Sequence, residues 1–363
     1  MTLWIILVSY YATSLNGKDL REKLNNFKTK QKMDRFKIFV TDYNWGDLEV
    51  EENAVRRLEK EKNIKIELIS AQCRSEDEVI EKGCDADALL NQYAPITEKV
   101  ISSLKKCKII ARYGTGVDNI DVKAATRHKI MVANVPSYCD DEVAEHALSL
   151  ILCCVRKIFL YNARAKSGIW DWRVGRPIKS LNELTLGLVG FGKTARRLAK
   201  KAKCLGFKVV AFTPRKHEKL YRKEGVERVE FDTLLKISDV ISIHAPLTES
   251  TRHMFGKREF GLMKPTSFIV NTSRGKIIDE KALYDALINK KIQGAACDVL
   301  ETEFPDKNHP LFKLENFIAT PHVAFYSEKS LVRLREKPVI DIVRALTGDV
   351  PEGLLNRELI GQK

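Results

Sequence analysis

Three side chains of complementary chemistry follow three separate apolar runs. Ser267–Asn271 leads into Thr272-Ser273-Arg274-Gly275, Gly294–Val299 leads through Asp298 to Glu303, and Phe317–Ala319 ends in Thr320-Pro321-His322. If the runs are parallel strands of one sheet, Arg274, Glu303 and His322 arrive at one rim, where such sheets bind their ligands. An imidazole there can give or take a proton near neutral pH, and a guanidinium can hold an anionic oxygen. The other histidines have plainer readings. His128, His217, His253 and His309 fall in polar loops or at helix ends. His146 lies inside a long helix and reads as a packed or interface residue. His322 combines a strand-end position with an acidic and a basic partner, which makes it the catalytic candidate.

A second constellation precedes these residues. Leu186-Gly187-Leu188-Val189 is followed by Gly190-Phe191-Gly192-Lys193-Thr194-Ala195, a helical pattern to Gly206 and a second apolar run, Val209-Val210-Ala211-Phe212. Strand, glycine turn, helix and strand form the context that a dinucleotide fingerprint requires. Gly190 allows the tight turn, and Gly192 lets a pyrophosphate approach a helix N-terminus, where free N–H groups favour an anion. Ala195 stands where a third glycine is usual. The plain alternative is an ordinary glycine turn. His244, at the end of the Val240–His244 run, would line the same cleft.

The end of the second strand bears on which dinucleotide. A carboxylate there would hold the adenosine ribose of NAD; the chain has Thr213-Pro214-Arg215-Lys216 instead. A hydroxyl beside a guanidinium suits a 2′-phosphate, so the reading leans to NADP. The alternative is that Arg215 and Lys216 are simply solvated.

These residues need elements to position them. Lys37–Thr41, Ile64–Ser70, Ala88–Asn91, Lys108–Arg112 and Met131–Val135 read as strands, with helices at Glu51–Lys62, Thr97–Lys105 and Asp121–Lys129. Pro136 marks a boundary. Asp140–Arg156 reads as a helix apolar nearly all round, to be buried between domains or subunits. Trp170 and Trp172 add exposed aromatics and suggest a homodimer. Six strand-like runs follow, the count of a full Rossmann sheet, and then a helix over Ser327–Leu346 that could return to the first domain. The expected fold is α/β, with two Rossmann-like doubly wound parallel-sheet domains, the substrate domain being discontinuous and flavodoxin-like. Residues 1–32 read as an extension outside the fold, with a weak signal peptide as the alternative. Residues 33–135 plus 323–356 form the substrate domain, and 136–322 the dinucleotide domain.

Composition narrows the function classes. The 363 residues are 44% hydrophobic and 30% charged, ordinary for a soluble globular chain, with a formal charge of +14. The basic residues are dispersed, without arginine-rich or basic-aromatic motifs, which speaks against nucleic acid as partner. A positive excess also suits phosphate and carboxylate ligands. Leu3–Ala12 is too short to span a membrane. The eight cysteines form no CxxC pair and several lie in apolar runs. That reads as a reducing cytoplasm, without disulfides or a metal site.

Taken together, Arg112–Asp121 (RYGTGVDNID), Asn134-Val135-Pro136, Glu142–His146, Leu188–Gly192, Asn271–Gly275, Asp298-Val299 and Thr320–Ala324 resemble the D-isomer-specific 2-hydroxyacid dehydrogenases over about residues 35–356. Pro136–Ala144 and Trp170–Trp172 are most similar to members related to C-terminal-binding proteins and phosphoglycerate dehydrogenases. The resemblance implies that Arg274, Glu303 and His322 are the catalytic residues. It places the dinucleotide on Gly190, Phe191, Gly192, Lys193 and Thr194, the nicotinamide carboxamide on Asp298, and Thr115, Thr272 and Ser273 along the cofactor. Thr213, Pro214, Arg215, His244, Ala245, Pro246 and Ala324 complete the expected cofactor contacts. The substrate carboxylate would meet Gln92, Tyr93 and Ala94, backbone N–H groups near Gly114 and Gly116, and Arg274. Phe304 departs from the family, where a proline commonly follows the glutamate.

The implied activity is NAD(P)-dependent reduction of a 2-keto acid to a D-2-hydroxy acid, or the reverse. Glu303, hydrogen-bonded to His322, would favour imidazolium and fix the ring. Glyoxylate or hydroxypyruvate is the expected substrate, with 3-phosphoglycerate beside them. The competing expectation is a nucleotide-sensing scaffold like the C-terminal-binding corepressors, which keep the same three residues.

Overall fold

The computed structural model describes residues 33–214 and 218–360, so the expected extension at 1–32 and the cofactor candidate Arg215 lie outside the described residues. The chain divides into two compact units. The first contains residues 33–111, 123–133 and 339–360; the second contains 112–122 and 134–338.

In the first unit the elements run β1 (Asp34–Val40), α1 (Glu49–Lys62), β2 (Ile64–Ser70), α2 (Glu76–Gly83), β3 (Ala88–Asn91), α3 (Glu98–Ser103), β4 (Ile109–Arg112), α4 (Val122–Arg127) and β5 (Met131–Ala133). The sheet order is β2-β1-β3-β4-β5, the flavodoxin-like arrangement expected. Ala88–Asn91 is buried throughout, as a strand covered on both faces must be. α1 buries Ala54, Val55 and Leu58 on one stripe and ends at Asn63 in the left-handed region. The discontinuity is real: Asn356 Oδ1 accepts the Val132 N–H at 2.9 Å, and Ala133 bridges Leu354.

The second unit begins its regular structure with α5 (Asp140–Val155) and α6 (Ile158–Lys166). It continues through β6 (Thr185–Val189), α7 (Lys193–Cys204), β7 (Lys208–Phe212), α8 (Glu218–Glu224), β8 (Glu227–Arg228), α9 (Phe231–Ile237), β9 (Val240–Ile243), α10 (Lys257–Leu262), β10 (Phe268–Asn271), α11 (Glu280–Ile288), β11 (Gly294–Cys297), β12 (Phe317–Ala319) and the first half of α12 (Glu328–Leu346), whose residues from Val339 on belong to the first unit. All strands are parallel, in the order β12-β11-β10-β9-β6-β7-β8, a Rossmann sheet whose order reverses between β6 and β9. Side chains alternate between two cores. Leu186, Leu188, Val240, Val270 and Ala296 pack with α5 and α7; Val189, Ile241, Ile243, Ile269 and Ala295 pack with α9, α10 and α11. This alternation makes the sheet doubly wound.

Two expectations are corrected here. The sheet has seven strands, because the two-residue β8 was too short to carry a period. One face of α5 is accounted for within its own unit: Ala144, Ala147, Leu150, Ile151 and Cys154 pack in one core with Leu186, Leu198 and Ala202. Residues 112–122 belong to the second unit, tied there by Val135 N–H to Gly114 O (2.9 Å) and Asn134 Nδ2 to Thr115 O (2.6 Å). That unit also runs on to Pro338, since Arg333 Nη2 grips Glu142 at 2.7 Å. Trp170 and Trp172 are 92% and 68% exposed, matching the surface aromatics expected. No helix among the described residues is long and apolar enough to cross a membrane.

Candidate active site and cofactor cleft

At the end of β6 the backbone at Gly190 takes φ +95°, and a Cβ there would lie 2.5 Å from His244 O. Only glycine fits. At Gly192 a Cβ would meet nothing within 4 Å, so the loop is open on that side. Gly192 also N-caps α7 without a side-chain hydrogen bond, which leaves the first N–H groups of a twelve-residue helix available to an anion. Lys193 Nζ donates to Ser137 Oγ at 2.6 Å, and Thr194 Oγ1 donates to Asp140 Oδ1 at 3.4 Å. Phe191 turns inward and stacks on Tyr221 with centroids 4.6 Å apart, so only its backbone is left for a ligand.

Across the rim, Asn271 shapes the turn after β10. Its Oδ1 accepts the Ser273 N–H at 3.0 Å and its Nδ2 donates to Arg274 O at 2.9 Å. The Ser273 hydroxyl donates to Ala245 O. Arg274 leaves this turn with Nη1 donating to Ser273 O at 2.8 Å and Nε donating to Asp118 Oδ2 at 2.7 Å.

His322 sits in a turn built on Asp298, a buried carboxylate at the end of β11. Asp298 Oδ1 accepts the Thr320 hydroxyl at 2.5 Å and the Val323 N–H at 2.9 Å; Oδ2 accepts the Ala324 N–H at 2.9 Å. The His322 N–H closes onto Asp298 O at 2.8 Å. This scaffold holds His322 at φ +52°, an unfavourable conformation for a non-glycine residue. The side chain is fixed by Glu303, whose Oε1 is 2.5 Å from His322 Nδ1. A carboxylate can only accept, so the shared proton places Nδ1 as donor and leaves Nε2 for chemistry. Behind the turn, His146 Nε2 reaches the Thr320 hydroxyl at 3.0 Å. His146 is therefore packed against this turn as part of its polar support.

A cavity of about 340 Å³ lies within the second unit, within the range of ligand pockets. Arg274 and His322 line it together, as do the cofactor candidates Thr115, Thr194, His244, Ala245, Pro246 and Thr272. Ser273, Asp298, Ala324 and Gly116 complete the expected residues on its wall. Its chemistry fits a dinucleotide. Thr272 Oγ1 is buried without a hydrogen-bond partner, on a rim that carries an open glycine loop and an uncapped helix. Gln92, Tyr93 and Ala94 lie in the first unit, where their N–H groups all donate to the Asp42 carboxylate at 2.6–3.2 Å. Gly114 takes φ +126° over Arg112.

The profile of the D-isomer specific 2-hydroxyacid dehydrogenase, NAD binding domain, matches residues 148–324. A glyoxylate reductase from Thermococcus litoralis is 35% identical over 331 residues, covering 89% of this chain and 98% of that protein. The chain belongs to the D-isomer-specific 2-hydroxyacid dehydrogenase family. A D-3-phosphoglycerate dehydrogenase from Methanocaldococcus jannaschii is 37% identical over 329 residues, covering 90% of this chain and 60% of that protein. Among solved structures, D-lactate dehydrogenase from Aquifex aeolicus, complexed with NAD and lactic acid, superposes with a TM-score of 0.76 at 30% identity, covering 89% of this chain and 97% of that one. Like its family, the chain is an oxidoreductase acting on CH–OH groups with a nicotinamide cofactor.

Several residues of this 2-hydroxyacid dehydrogenase escape sequence reasoning. Asp118 meets Arg274 from far along the chain, with no local signal. Arg228, from β8, donates through Nη2 to Thr213 O at 3.2 Å and pairs with Glu230 at 2.8 Å. The Thr213 hydroxyl itself is 2.9 Å from Tyr221 OH.

His244 yields a prediction about stability. Burial pushes its pKa down to about 4, with Nε2 2.9 Å from Ser242 Oγ. As pH falls, the unfolded chain takes up this proton near 6.5, but the folded protein resists until about 4. Stability is therefore lost as pH falls through that window, by up to about 3 kcal/mol for this group. A His244→Gln variant should show a shallower fall of Tm between pH 6.5 and 4.5 than the parent. An equally steep fall would show that the ring is not held neutral.

Proposed function

We propose that this protein reduces a small 2-keto acid, glyoxylate or hydroxypyruvate, to the D-2-hydroxy acid, with 3-phosphoglycerate as the next substrate in line. The observation that carries the reading is the His322–Glu303 pair held at 2.5 Å beside Arg274, on the rim that also carries the open glycine loop. A bound reduced nicotinamide would supply the hydride to the substrate's 2-carbon. As negative charge develops on the 2-oxygen, His322 Nε2 gives it a proton, and in the oxidative direction takes it back. Glu303 holds the ring through Nδ1 and balances the charge of the imidazolium. Arg274 grips the substrate carboxylate and stabilises the developing alkoxide.

The cofactor preference we assign is NADP(H). Its support is the hydroxyl of Thr213, in place of a carboxylate, at the end of β7, and the Arg228 guanidinium hydrogen-bonded to the same residue. A homodimer would give the exposed Trp170 and Trp172 a place to be covered.

Absorbance loss at the nicotinamide band tests the proposal, with glyoxylate and hydroxypyruvate as substrates and NADPH set against NADH. Rapid loss, faster with NADPH, is the expected result. Faster loss with NADH would overturn the cofactor preference alone. No loss with either, despite tight cofactor binding, would move the assignment to 3-phosphoglycerate or to a nucleotide-sensing scaffold.

A further inference from the structure

Asp118 is an acid that the proposed reaction does not call for, yet it is bonded to the guanidinium on which that reaction depends. We infer that Asp118 is a positioning residue for Arg274, and through it for the substrate carboxylate; the inference rests on the role proposed for Arg274.

The guanidinium is constrained on three sides. Nε donates to Asp118 Oδ2 at 2.7 Å, and Nη1 donates to Ser273 O at 2.8 Å. Nη2 passes so close over Gly116 that a Cβ there would come within 1.7 Å of it. Asp118 and Gly116 are two residues apart in one loop, so the same backbone that supplies the acid makes room for the arginine. A long, rotamer-rich side chain is thereby held in one orientation. Of its five N–H groups, the one on Nε and one on Nη1 are taken. The remaining N–H groups, on Nη1 and Nη2, suffice for a bidentate grip on a carboxylate. The pair does little for stability, since Asp118 and Arg274 side chains are 45% and 28% exposed. Its effect lies in geometry, where a displacement of about 1 Å can cost about 10²-fold in rate. The rival account, in which Asp118 competes with the substrate for Arg274, predicts the opposite sign.

The test uses Asp118→Ala, Asp118→Asn and Asp118→Glu in the full chain. Steady-state kinetics with glyoxylate gives KM and kcat. Quenching of reduced-nicotinamide fluorescence gives the Kd of oxalate for the enzyme–cofactor complex without turnover. The Ala and Asn variants should raise the KM for glyoxylate and the Kd of oxalate by about 10- to 10²-fold. The loss in kcat should be smaller, and cofactor affinity and Tm unchanged. Asp118→Glu, which keeps a carboxylate, should recover most of the loss. A lower KM in Asp118→Asn would show competition, and unchanged constants would show an idle surface pair; either overturns the inference. Arg274→Lys, run alongside, separates the two levels. If it leaves kcat/KM intact, the role of Arg274 itself fails; if it cripples kcat/KM while Asp118 variants do not, only the positioning role fails.

Discussion

Replacing His322 by glutamine will cut turnover by about 10²-fold or more while leaving nicotinamide cofactor affinity within a few-fold. The amide can still hydrogen-bond Glu303, so the side chain stays tethered, but it cannot exchange a proton with a developing alkoxide. The turn should survive, because its hydrogen bonds are donated to Asp298 by backbone N–H and Thr320 hydroxyl groups and do not involve the imidazole. The loss should fall on kcat, since proton delivery is needed only as charge develops. Steady-state rates with glyoxylate, paired with a fluorescence titration of the reduced cofactor, check both halves. Near-normal turnover would remove His322 from the proton-transfer role. A matching collapse of cofactor affinity would mean that the substitution disturbed the rim as a whole.

The contrast between what the sequence declares and what it conceals follows from chain distance. Gly190, Gly192 and Ala195 announce themselves because strand, turn and helix occupy one continuous stretch, and the chemistry of that turn is local. Arg274 and His322 are legible because each follows a continuous apolar run, the mark of a strand buried on both faces. Asp118 carries no such mark, because its partner stands 156 residues away in sequence and no periodicity links them. His146 reads as packed inside an apolar helix, but only the tertiary fold shows what it packs against, bringing Thr320 to its Nε2. β8 is two residues long, below the length at which alternation can be read, and so Arg228 went unnoticed beside Thr213. α5 looked apolar all round because its stripe facing the sheet is flanked by Leu148 and Leu152, half-covered against the same core.

Asp298 carries the second large effect, and it separates a structural role from a ligand contact. Asp298→Ala should lower the Tm of the cofactor-free protein by at least about 5 °C and reduce kcat by about 10²-fold. Removing the carboxylate strands the Val323 and Ala324 N–H groups and the Thr320 hydroxyl, at about 1–3 kcal/mol for each buried donor left unmet. With them goes the hold on His322, whose left-handed backbone persists only while its surroundings enforce it. Asp298→Asn is no simple repair. One oxygen can still accept from Thr320 and Val323, but the amide NH2 would then confront the Ala324 N–H, donor against donor. If Asp298 served only to meet the nicotinamide carboxamide, both variants would weaken cofactor binding and leave the cofactor-free Tm where it was. Thermal unfolding with and without cofactor distinguishes the cases, because a carboxylate that already accepts three hydrogen bonds from its own chain must matter before any ligand arrives.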